Sequence, residues 1–157
     1  MITIELLIVA VVDLQKKKIS NLWPIFNFTL AICLMIGAPE LYPLDYSLLI
    51  FPLGFIVVGF ILFLMDVMGA GDSKFLASLF LIIPLDHQFL YFEKLVTVTL
   101  VVGSLMFIRT IVKNQMKIRA YFHNHHWKGF VELFRSRFSY APVMFIAWLL
   151  LGASQWL

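Results

Sequence analysis

Six apolar runs, separated by charged or Pro/Gly-containing breaks, occupy residues of about 1–15, 22–37, 47–66, 74–91, 94–112 and 139–157. Their lengths suit a hydrocarbon core of roughly 30 Å, which a helix crosses in about 20 residues. Backbone N–H and C=O groups find no water there, so each run has to be helical. Composition points the same way: 62% of the 157 residues are hydrophobic and 13% are charged, whereas soluble domains average roughly 45–50% and 25%. The expected fold is all-α, a polytopic membrane protein with about six transmembrane helices and a single membrane-embedded domain over 1–157. The fourth run is the least regular, because Pro84, Asp86 and His87 interrupt it.

Basic residues set the orientation. Lys16, Lys17 and Lys18 follow the first run, Lys74 opens the fourth, and Arg109, Lys113, Lys117, Arg119, Lys128, Arg135 and Arg137 lie at or between the last two. Only Lys94 falls on the other side, together with Glu5, Glu40, Asp45, Asp86 and Glu93. The positive-inside rule then makes the basic connections cytoplasmic and places both termini outside, in an inner (cytoplasmic) membrane. The first run, MITIELLIVAVV, has its lysines after it rather than before, so it reads as a retained span and not a signal peptide. The one cysteine, Cys33, lies in an apolar run, which excludes a disulfide framework or a Cys-based zinc site within one chain.

The connection 113–138 interleaves bases with Tyr121, Phe122, Trp127, Phe130 and Phe134. That mixture suits a segment lying on an anionic leaflet. Nothing else supports nucleic-acid binding. His123, His125 and His126 share the segment, but no second cluster completes a metal site, so a solvated, pH-sensitive basic loop is the expectation and no metal or cofactor is assigned.

Ionisable groups at membrane depth are costly and mark function by default. Asp13, Asp66, Asp72 and Glu132 fall on the cytoplasmic side; Glu132 sits among bases and reads as their partner. Residues 1–12 rise only about 18 Å as a helix, so the first span must continue past Asp13 and submerge it. A carboxylate near a helix C-terminus opposes the macrodipole, although pairing with Lys16 or Lys17 would relieve it. Asp72, within MDVMGAGDSKFLA, could be the N-cap of the fourth helix, with Gly69 and Gly71 as turn residues of unusual backbone angle. The same glycines would also let a substrate backbone approach a carboxylate. Two carboxylates sharing one site do not both ionise easily, and a pair holding one proton suits peptide hydrolysis. Asp66 is better read as an interfacial acid or a partner of Lys74.

These residues bear a specific resemblance. DLQKKKISN, residues 13 to 21, resembles the first motif of the type IV prepilin peptidases, and MGAGDSKFLA, residues 68 to 77, closely resembles their Gly-x-Gly-Asp signature. SYAP, residues 139 to 142, is similar to the Tyr-x-Pro element that opens their last span. The resemblance covers essentially the whole chain. It implies an aspartic endopeptidase that removes the basic leader from prepilin-like or pseudopilin substrates at the cytoplasmic face, with Asp13 and Asp72 as the catalytic pair. Gly69, Gly71 and Lys74 would then shape the second acid's loop, Ile19 and Asn21 would support the first, and Tyr140 and Pro142 would belong to the last motif. The chain looks like the compact form serving Flp-type pili, without the insertion of the bifunctional enzymes. Ser20, Ser139 and Ala141 depart from the commonest residues of these motifs, and none of them removes a catalytic group. The rival from another class is a small carrier or a silent secretion scaffold using the same aspartates for cation or proton passage; carriers often show inverted repeats with broken helices, and none is visible here.

Overall fold

A computed structural model describes residues 2–16, 19–43, 45–65, 68–115 and 140–155. Among these the chain forms six helices and no strand: α1 (Ile2–Lys16), α2 (Leu22–Gly37), α3 (Ser47–Leu64), α4 (Ala70–Ile82), α5 (Leu85–Lys113) and α6 (Ala141–Gln155). Only α3 and α5 are both long and apolar enough to cross a membrane by themselves; α2 and α6 are shorter apolar helices.

The fourth and fifth elements differ from the sequence expectation of 74–91 and 94–112. Pro84 divides the apolar run, because it has no N–H to donate and it holds Ile83 before it extended, at φ −86° and ψ 126°. Helix α4 therefore stops at Ile82, and residues 85–91 become the first turns of the 29-residue α5.

Successive helices alternate in direction. Tyr91 Oη donates to the Met144 carbonyl and Tyr140 Oη lies 2.7 Å from Thr99 Oγ1, so α5 and α6 run antiparallel. Trp148 Nε1 donates to Thr3 Oγ1 and Ala141 N donates to Asp13, which sets α1 and α6 antiparallel as well. Helix α4 packs on α2 and α3, whereas α6 packs on α1 and α5. The two groups of three meet through a ring cluster in which Phe51 and Phe55 of α3 face Phe80 of α4 and Phe92 of α5, and Phe80 touches Tyr91.

Helix α4 is the core of the bundle: from Phe75 to Ile82 every side chain is buried. It rises only about 20 Å, and its neighbours cover it on all sides. Helix α3 is the opposite case, with Leu53, Ile56, Val57, Phe60, Ile61 and Leu64 exposed. An apolar outer surface of that extent suits lipid as its solvent.

Candidate active site

The C-terminal turns of α1 and the N-termini of α4 and α6 come together at one end of the bundle. Asp13 is 3% exposed and Asp72 is 8% exposed, and the two carboxylates lie close enough for their charges to interact. Tyr140, half-buried just before α6, is also within electrostatic reach of Asp72.

Each acid rests on the start of a helix. Asp72 is not the N-cap: Gly69, extended at φ −72° and ψ 145°, holds that position, and Asp72 follows at the third helical residue. From there its Oδ2 accepts the Gly69 N–H at 3.1 Å, half of a capping box whose other half glycine cannot supply. Asp13 Oδ2 accepts the N–H of Ala141, the first residue of α6, at 3.3 Å. The positive end of α6 thereby offsets the unfavourable position of Asp13 near the C-terminus of its own helix. This partner was not anticipated from the sequence. Its signal is Pro142, since proline is tolerated in a helix's first turn.

The glycines serve by what they lack rather than by unusual angles, as neither has a positive φ. A Cβ on Gly69 would lie 2.9 Å from Asp72 Oδ2. A Cβ on Gly71 would lie 3.1 Å from the Ile19 carbonyl oxygen, so the segment after α1, with Ile19 buried, packs directly against the first turn of α4. Gly71→Ala must push that segment back by a few tenths of an ångström. If the two acids react together, it should lower turnover by roughly 10-fold, since small misplacements of reacting groups are costly, with the thermal transition close to wild type. An unchanged turnover number would show that the contact does not set the spacing of the acids.

A second glycine contact went unnoticed in the sequence. Gly59 of α3 faces Ser73, beside Asp72, so closely that a Cβ there would collide with the Ser73 side chain. Helix α3 thus holds the first turn of α4 at backbone distance.

The other expected residues are less closely gathered. Lys74 is exposed, and two residues along a helix it does not share the face of Asp72. Asn21 is exposed at the N-cap of α2 and makes no side-chain capping bond; Ser20 Oγ instead accepts the Leu22 N–H at 3.4 Å. Pro142 is partly buried in the first turn of α6. Thr99, also missed, donates to the Leu95 carbonyl and so accepts from Tyr140, fixing the phenol. Asp66, Glu132 and the His123, His125 and His126 segment lie outside the described residues. Among the described residues no group of three or more His, Cys, Asp or Glu side chains could hold a metal.

The model of the type IV leader peptidase family matches residues 1–156. The chain belongs to that family. Neither the curated proteins nor the solved structures provide a match. Membership in the type IV leader peptidase family carries leader-peptide cleavage as the activity of the family as a whole, and makes this chain a peptidase by descent.

Proposed function

We propose that the chain is an aspartic endopeptidase that cleaves the basic leader from prepilin-like or pseudopilin substrates, with Asp13 and Asp72 as its catalytic pair. The observation that carries this reading is the meeting of the two buried acids at the N-termini of α4 and α6, in a chain that matches the leader peptidase family over its length. The whole chain acts as one membrane-embedded domain that crosses the inner membrane six times, with both termini outside and the acids near the cytoplasmic face. The alternating helix directions and the grouping of Lys16, Lys74 and Lys113 at the acid-bearing end of the bundle support that topology.

In the proposed reaction the pair shares one proton. The ionised carboxylate takes a proton from water as the oxygen attacks the scissile carbonyl, while the protonated partner donates to the carbonyl oxygen. Collapse of the tetrahedral intermediate returns a proton to the leaving amine, releasing the leader's new carboxylate and the mature chain's new amino terminus. Backbone donors from Gly69 and Ala141 hold the carboxyl groups in place and cost no reorganisation during the step. The substrate helix enters laterally from lipid, its basic leader remaining in the cytoplasm. Lack of room for an inserted domain favours the compact Flp-type form.

Purified protein in vesicles, mixed with a prepilin bearing a basic leader, should release the leader at one bond; no release under any lipid composition would overturn the reading. Asp66→Asn should retain substantial activity in the same assay, and complete loss would mean that Asp66 rather than Asp13 or Asp72 belongs to the pair.

A further inference from the structure

A second polar cluster lies deeper in the bundle, away from the acids at its end. Glu5 sits on α1 about 12 Å along the helix from Asp13, and Ser78 on α4 about 9 Å from Asp72. Asn27 of α2 stands between them. Exposure is 5% for Glu5, 0% for Asn27 and 7% for Ser78. Asn27 Nδ2 donates to Ser78 Oγ at 3.3 Å, and Ser78 Oγ donates onward to the Phe75 carbonyl at 2.8 Å. On its other side the Asn27 amide approaches the Glu5 carboxyl. Yet both Glu5 oxygens and Asn27 Oδ1 are buried without a hydrogen-bond partner among the described residues.

Glu5 of α1, Asn27 of α2 and Ser78 of α4 thus place polar groups together in otherwise apolar surroundings, where such groups are costly without polar neighbours. We propose that Glu5, Asn27 and Ser78 form a polar link from α1 through α2 to α4 that sets the register of Asp13 against Asp72. The need for such a link follows from the packing: α1 packs on α6 and makes no extended contact with α4. Apolar contacts alone are non-directional and permit sliding, whereas a hydrogen-bonded relay fixes both height and rotation. Glu5 and Asn27 are positioning residues, and their effect on cleavage rests on the function proposed above.

Two readouts test the link, one of them independent of activity. Spin labels placed at Gln15 and Lys74, on a Cys33→Ser background, report the distance between the acid-bearing ends of α1 and α4. Glu5→Gln, which keeps a polar group of the same length facing Asn27, should leave that distance distribution narrow and the turnover number within about 3-fold of wild type. Glu5→Leu should broaden the distribution and lower turnover by 10-fold or more, roughly, with KM little changed. An unchanged distance distribution in Glu5→Leu would overturn the positioning role. If the distances behave as expected while wild type cleaves no prepilin, the link stands and the peptidase reading falls.

Discussion

Asp72→Asn and Asp13→Asn are each expected to bring cleavage of a co-expressed prepilin down to background, a loss of about 10³-fold or more, with protein levels unchanged. Asparagine is nearly isosteric with aspartate, and its amide oxygen can still accept the N–H of Gly69 or Ala141. The fold therefore keeps its helix-end contacts while the proton transfers are lost. The double variant should be no worse than either single one, because two groups that act as a unit fail together. Full processing by either single variant, measured by the size shift of the prepilin, would remove that residue from the pair.

Gly59→Ala carries the largest expected effect outside the acids. Its methyl group would meet the Ser73 side chain at the crossing of α3 and α4, so one helix must shift against the other at the first turn of α4. Overpacking of this kind costs about 1–3 kcal/mol, and the displaced turn is the one that carries Asp72. Both the thermal transition in detergent and the cleavage rate should fall. Ser73→Gly on the same background removes the obstructing atoms and leaves residue 73 Cα 3.4 Å from the new methyl, which is ordinary contact. That double variant should regain much of both properties, less roughly 1 kcal/mol for glycine in a helix. Failure to regain either would mean that the crossing is not where the damage arises.

Hydropathy sufficed for α2 and nearly so for α3, since a lipid-facing helix advertises itself along its whole length. It failed between α4 and α5. A helix buried among other helices and the start of the next one are equally apolar, and only Pro84 marks where one stops and the other begins. The candidate site was legible in part for the same kind of reason. Asp13 and Asp72 stand out because charge is expensive in such surroundings. The Ala141 N–H does not, because a backbone donor has no letter in the sequence. Gly59 was equally silent: its purpose depends on Ser73, fourteen positions on, which only the packed structure brings to it.

The contact between Asp13 and α6 also orders events during synthesis. Both acids are made before residue 113, but the N–H that receives Asp13 belongs to the last helix described. A ribosome-bound chain holding both aspartates thus lacks the contact between Asp13 and the first turn of α6 until that helix docks. If the two acids are the catalytic pair, their site is completed by a helix made after both of them.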